Sequence, residues 1–154
     1  LLAEFYSHIG DTRQRMNDNP ASDAAYEKSL SINPENALVL NNYAYFLSLR
    51  GEHLDRAKQM SEKSLQLQPE NASYLDTYAW ILFKLKDYSK ALTWIEKALE
   101  KTEQANGTLY EHHGDILFHL NRIEEAVNAW KKALEAGETS ELIHKKINEM
   151  RYYE

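Results

Sequence analysis

The stretch Ser29-Leu30-Ser31-Ile32-Asn33-Pro34-Glu35-Asn36-Ala37 returns, about 35 residues on, as Ser64-Leu65-Gln66-Leu67-Gln68-Pro69-Glu70-Asn71-Ala72. A fixed period of that size constrains the fold severely: one supersecondary unit is copied and stacked, and each copy buries its apolar face only against its neighbours. Lys97-Ala98-Leu99-Glu100 and Lys132-Ala133-Leu134-Glu135 continue the series.

Aligned on their matching columns, the repeats run 3–36, 37–71, 72–106 and 107–139, leaving 140–154. Each holds two helical patterns. Leu40, Tyr43, Ala44 and Leu47 recur at i, i+3, i+4 and i+7, and Ala57, Met60, Ser64 and Leu65 follow a similar spacing in the partner helix. Small residues fill three columns: Gly10, Ala44, Ala79 and Gly114; Ser22, Ala57, Ala91 and Ala126; Ser29, Ser64, Ala98 and Ala133. They mark places where two helices approach so closely that a larger side chain overpacks the contact. Tyr6, Leu40, Leu75 and Tyr110, then Leu30, Leu65, Leu99 and Leu134, are the large fillers between them.

Boundary signals agree with this division. Pro34 and Pro69 cannot continue the preceding helices, and Asn36 and Asn71 are N-caps for the next ones. Asn19-Pro20 reads as a cap followed by proline in the first turn, and Thr108 with Glu111 as a capping box. In 140–154, Ile143, Ile147 and Met150 form a stripe, with Lys145, Lys146, Asn148, Glu149 and Arg151 outside it, as expected of a solvent-facing helix that caps the stack. Nothing comparable covers Leu1, Leu2 and Phe5, and an opening Leu1-Leu2 without methionine predicts a segment of a longer chain.

This pattern resembles the tetratricopeptide repeat family over nearly the whole chain. The matching residues are clearest at Tyr110, Gly114, Ala126, Trp130 and Ala133, and at Ala57, Leu65 and Pro69. Departures fall at Ser61, where the family prefers a large aromatic, at Arg13, at Glu103 and Glu138, and in the Gly51-Glu52-His53-Leu54 turn, which carries one extra residue. The resemblance implies an all-α, right-handed αα superhelix: a single 1–154 domain of four helix-turn-helix repeats plus a C-terminal capping helix. More narrowly, the wording of 37–49, 74–80 and 110–115 is similar to the C-terminal repeats of bacterial members exported to, or tethered in, the cell envelope, which implies a periplasmic or envelope address.

In this family the first helix of each unit lines a concave groove. Carried over by position, the groove falls on Ser7 and Asp11, on Asn41, Asn42, Tyr45 and Leu49, on Asp76, Trp80, Phe83 and Lys84, and on Glu111, His112, Asp115, Phe118 and His119. Trp80, Tyr45 and Phe83 are expected to grip apolar or cationic side chains, and Asp11, Asp76, Glu111 and Asp115 to select a positive one. The competing reading is that Trp80 packs against the next unit and the acids are a solvated face. Relatives that hold chaperone tails clamp a terminal carboxylate with Lys, Arg and Asn; here Ser7, Asp11, Asp76 and Glu111 stand where cations are needed, which disfavours such a ligand.

The remaining chemistry is sparse. His112, Asp115 and His119 share a helix face, but two turns, about 10 Å of rise, separate the histidines, so no metal site is assigned. His113 lies in a column with Ile9, Tyr43 and Tyr78 and reads as a hydrogen-bonded core histidine. Glu27-Lys28, Glu62-Lys63 and Glu96-Lys97 read as solvated surface, and Trp94 and Trp130 as helix packing. No phosphate-cradling loop, nucleophile elbow or paired-histidine motif occurs, so neither catalysis nor a cofactor is expected. A net charge of −6, from 24 acidic and 18 basic residues, argues against nucleic acid, and apolar runs such as 79–83 are too short to span a bilayer. The expected partner is therefore a protein or peptide, basic or apolar. Two alternatives stay open: a structural spacer that self-associates as a homodimer, or docks on further repeats, through Leu1, Leu2 and Phe5; and a regulatory module of an enzyme encoded upstream.

Overall fold

A computed structural model describes residues 1–154 as nine α-helices without strands. They fall into two compact units, Leu1–Pro69 and Glu70–Glu154. The first holds α1 (Leu2–Arg15), α2 (Asn19–Ile32), α3 (Ala37–Arg50) and α4 (Leu54–Leu67). The second holds α5 (Ala72–Lys84), α6 (Tyr88–Lys101), α7 (Gly107–His119), α8 (Ile123–Ala136) and the short α9 (Ile143–Glu149). The fold class is the all-α helical repeat, its helices packed as the consecutive pairs α1/α2, α3/α4, α5/α6 and α7/α8.

Side-chain oxygens at the helix starts satisfy backbone N–H groups that no helical carbonyl can reach. Asn36 accepts from Val39 N at 3.2 Å and Asn71 from Tyr74 N at 3.2 Å. Two starts differ from the sequence expectation. Asp18 rather than Asn19 caps α2, with Pro20 already inside the first turn. Asn106 caps α7 through Leu109 N at 2.9 Å, so the Thr108/Glu111 capping box does not form. Thr108 instead donates to the Glu138 carbonyl at 2.9 Å, and Glu111 is engaged elsewhere. The turns within pairs all use left-handed backbone: Asn17, Lys86 and Asn121 supply it singly, and the longer third-to-fourth helix turn uses both Gly51 and His53.

The small columns lie at the close approaches within pairs. A Cβ on Gly10 would stand 2.7 Å from the Tyr26 ring, and one on Gly114 would collide with the Trp130 ring. Ala44 and Ala79 tolerate their methyl groups because the positions matching Tyr26 and Trp130 carry Ser61 and Ile95. Glycine thus accompanies an aromatic partner, and alanine a smaller one. In the first unit the second and third columns are also stitched by hydrogen bonds, Ser22 Oγ to the Gly10 carbonyl at 2.9 Å and Ser29 Oγ to the Ala3 carbonyl at 2.7 Å. Ser61 Oγ is buried with no partner, the residue of having a hydroxyl where an aromatic would fill the space.

Between pairs of the first unit, Tyr26 stacks on Tyr43 with centroids 5.3 Å apart, and Glu27, exposed as expected, accepts from Tyr43 and Arg56 at the surface. In the second unit, Leu117, Ala126, Val127, Ala129, Trp130, Ala133 and Ile143 form one core. Leu134, expected as a filler, is 40% exposed.

Candidate functional site

In the first unit, Asp11 accepts a hydrogen bond from Tyr26 Oη at 2.6 Å, so its carboxylate is already tied to the second helix of its own pair. Asn41 is buried and donates to Asn42 Oδ1 at 3.3 Å, while its own Oδ1 has no partner. Asp11 and Asn42 line, with Gln14, Arg15 and Phe46, a cavity of about 310 Å³. Tyr45 is half-buried against Phe46.

In the second unit, Asp76, Trp80, Phe83, Glu111, His112, Asp115 and His119 converge on one face of α5 and α7. His112 Nδ1 lies 2.8 Å from Asp76 Oδ1. Trp80 is sandwiched between the His112 ring at 4.0 Å and the Phe83 ring at 4.5 Å, both nearly parallel to it. His119 stands edge-on to Phe83 at 4.9 Å and turns its Nδ1 to the Asp115 carbonyl oxygen, so it does not share a ligand position with His112. Trp80 is only 7% exposed, and Glu111, His112 and Asp115 are buried. The expectation of an exposed tryptophan beside open carboxylates is corrected: the ring packs between two helices, as the competing reading had it, and the acids are covered.

What covers them lies outside the repeat pattern. Lys146, expected to face solvent, is 3% exposed. Its ammonium donates to Glu111 Oε1 at 2.8 Å and to Asp115 Oδ1 and Oδ2 at 2.9 and 3.1 Å. It also faces the Tyr152 ring at 5.2 Å and the Trp130 ring at 6.0 Å, the geometry of a cation held between π-clouds. Ser140 donates to Glu111 through its backbone N at 2.8 Å and through its hydroxyl. The Trp130 indole N–H completes the cage by donating to Asp115 Oδ1 at 2.9 Å. Tyr152 meets Phe83 and His119 edge-on at 5.8 and 4.7 Å, and Lys84 Nζ pairs with Glu154 at 3.0 Å.

The charges respond to this enclosure. Burial pushes the Asp115 carboxyl up to about 6 against the pull of Lys146. Burial also works against ionised Glu111, but hydrogen bonds from Lys146 and Ser140 outweigh it and hold that group low. Burial disfavours protonated His112, yet the charge and hydrogen bond of Asp76, with Asp115 and Glu111 nearby, raise it above the usual histidine range. His113 differs from the expected hydrogen-bonded histidine: its Nε2 is buried 3.8 Å from Glu96 with no hydrogen bond, and burial lowers its pKa.

Sequence reasoning missed Ser140, Lys146, Tyr152 and Glu154. A signal existed for Lys146. It sits at i+3 from Ile143 and beside Ile147, inside the apolar stripe, and two carboxylates at i, i+4 on the inner face of α7 need a buried cation.

Sequence models match three parts of the chain. One described as anaphase-promoting complex, cyclosome, subunit 3 covers residues 50–133, and two described as tetratricopeptide repeat cover 3–36 and 25–59. No curated protein matches significantly. Among solved structures, PilW, a type IV pilus biogenesis factor, is similar with a TM-score of 0.85 at 18% identity, over 96% of this chain and 68% of that one. A thermophilic repeat protein of Thermus thermophilus gives 0.83 at 16% identity, over 96% and 80%. The first repeat domain of Spaghetti (RPAP3), bound to the HSP90 peptide SRMEEVD, gives 0.65 at 22% identity, over 74% and 89%. At these identities the likeness is one of fold.

Proposed function

The chain belongs to the tetratricopeptide repeat family, and from that premise we propose that it is a protein-binding scaffold that takes a peptide or helix on the face of its first helices. One observation carries the reading: the α5–α7 face grips, by ion pairs and ring contacts, side chains of a segment that is no part of the repeats. An acidic and aromatic face suits a basic or apolar partner. The proposed contact residues are Asp11, Asn41, Asn42 and Tyr45 in the first unit, and Asp76, Trp80, Phe83, Glu111, His112, Asp115 and His119 in the second. Within this reading the chain is a repeat segment of a bacterial envelope protein, on the likeness of residues 37–49, 74–80 and 110–115, and it performs no reaction. Helical-repeat relatives include one whose structure holds a peptide, which supports the class of ligand and not its identity. No helix is long and apolar enough to cross a membrane.

The test is selection of peptides from a random display library on the intact chain, with binding mapped by hydrogen exchange. Binders rich in Lys, Arg and aromatic residues that protect α3, α5 or α7 are expected. Binders that protect only α2, α4, α6 and α8 would end the reading.

A second reading is favoured by the free face of α1. Phe5 and Met16 are 58% and 64% exposed and, with His8, Ile9, Thr12 and Arg13, line a cavity of about 410 Å³. Ile9 occupies the column of Tyr43, the residue on which Tyr26 of the preceding helix stacks. That face suits another helix of the same kind, from further repeats or from a second copy. Sedimentation should then show a concentration-dependent dimer that Phe5→Asp abolishes; a monomer at every concentration removes the second copy.

A further inference from the structure

We propose that the α5–α7 face is a receptor for a partner segment that brings a lysine and then an aromatic ring, at the spacing of Lys146 to Tyr152, and that residues 138–154 occupy it as a displaceable stand-in. This deepens the scaffold reading and rests on it.

The first argument is the chemistry of the pocket. Glu111 and Asp115 are the only paired acids in their columns; the matching positions hold Ser7 and Asp11, Asn41 and Tyr45, and Asp76 and Trp80. The repeat fold therefore does not require two carboxylates there. An apolar pair would cap a helix stack as well as a buried ion cluster does, since taking charges out of water offsets most of their attraction. What the cluster adds is selectivity for one ammonium in one position.

The second is how the segment is attached. It joins α8 through Gly137 and Glu138, both in left-handed backbone at φ +80 and +62, and α9 ends at Met150, again left-handed at φ +48. Apart from buried Ile143 and partly buried Ile147, it is held by discrete polar and ring contacts: Thr108 on the Glu138 carbonyl, Ser140 and Lys146 on the acids, Tyr152 on the rings and Glu154 on Lys84. Met150 is 49% exposed. A short helix tethered by discrete polar contacts can leave as a piece without unthreading the pairs beneath it.

The third is an unused donor. The Trp80 indole N–H belongs to the same face and is buried with no acceptor. The chain's own segment leaves it unsatisfied, whereas an extended partner has carbonyl oxygens to offer.

The test uses the intact chain and, as probe, a fluorescent peptide with the sequence of residues 138–154. The unmodified chain should bind it weakly, because the resident copy competes at high effective concentration. Chains carrying Tyr152→Ala or Lys146→Gln should bind at least ten-fold more tightly, and a peptide carrying Lys146→Gln should lose that gain. Tyr152→Ala touches a half-buried ring, so it decides the matter even if the lysine variant fails to fold. Equal binding by folded variant and parent, binding indifferent to the peptide's lysine, or variants that exchange segments into dimers would each overturn the proposal. Library-selected peptides that protect α3 while residues 143–154 stay in place would overturn the receptor and leave the scaffold standing.

Discussion

The Lys146 ammonium lies 2.8 Å from the Glu111 carboxylate, and the two side chains are 4% and 7% exposed. They come from positions 35 residues apart, one in the last repeat and the other beyond it, so the contact joins the C-terminal segment to the repeat array. Breaking a buried pair by removing one partner is far worse than never having built it.

Lys146→Met should therefore destabilise the second unit by about 3–5 kcal/mol near pH 8. The loss should shrink near pH 5, because the abandoned carboxylates rise in pKa and can be neutralised by protons. Urea unfolding of parent and variant at both pH values measures this. A deficit independent of pH would mean that the acids are solvated.

Stability of the parent should also fall as pH climbs from 6 to 8. His112 is raised by Asp76, so the stability it contributes is complete below its ordinary value of 6.5 and is lost as pH rises through its higher folded value. Asp115, raised by burial to about 6, has the same sign in a lower window: its stability is present below its ordinary 3.8 and is gone once pH has risen through about 6, so the slope above pH 6 belongs to His112. Glu111, held low, loses stability only as pH falls below its ordinary 4.5. Asp76→Asn should flatten the histidine part of the slope, which melting curves at pH 5.5, 7 and 8.5 would show.

Gly114→Ala should cost about 1–3 kcal/mol, since its methyl has no room beside Trp130. Ala79 and Ile95 are the same chain's own answer to that crossing. Adding Trp130→Ile should thus recover part of the loss, with a double-mutant coupling above about 0.5 kcal/mol. Strict additivity would show that the two positions do not meet.

These crossings were the most legible part of the chain. Gly10, Ala44, Ala79 and Gly114 recur in register because backbone approach restricts side-chain size locally, within one helix pair, and local restrictions repeat with the period. The Asn36 and Asn71 caps were legible for the same reason. Thr108, Glu111 and Lys146 were misread because their partners lie outside the period: Thr108 turns to the backbone at Glu138, and Glu111 answers Ser140 and Lys146. Trp80 followed suit. A position on the first-helix face says which way the ring points, not that a histidine of the next pair will cover it.

Trp80→Ala should accordingly destabilise by about 3–5 kcal/mol, because the indole is packed between His112 and Phe83. Chemical denaturation followed by far-ultraviolet dichroism tests this. A variant as stable as the parent would return the ring to the surface.

The measurement closest to the centre of the account is proton NMR of the intact chain, reading the ring of Tyr152. Its protons should show nuclear Overhauser contacts to Phe83 and His119, the two rings it meets at 5.8 and 4.7 Å. Random-coil shifts for Tyr152 with no such contacts would contradict the seating of the C-terminal segment on the α5–α7 face.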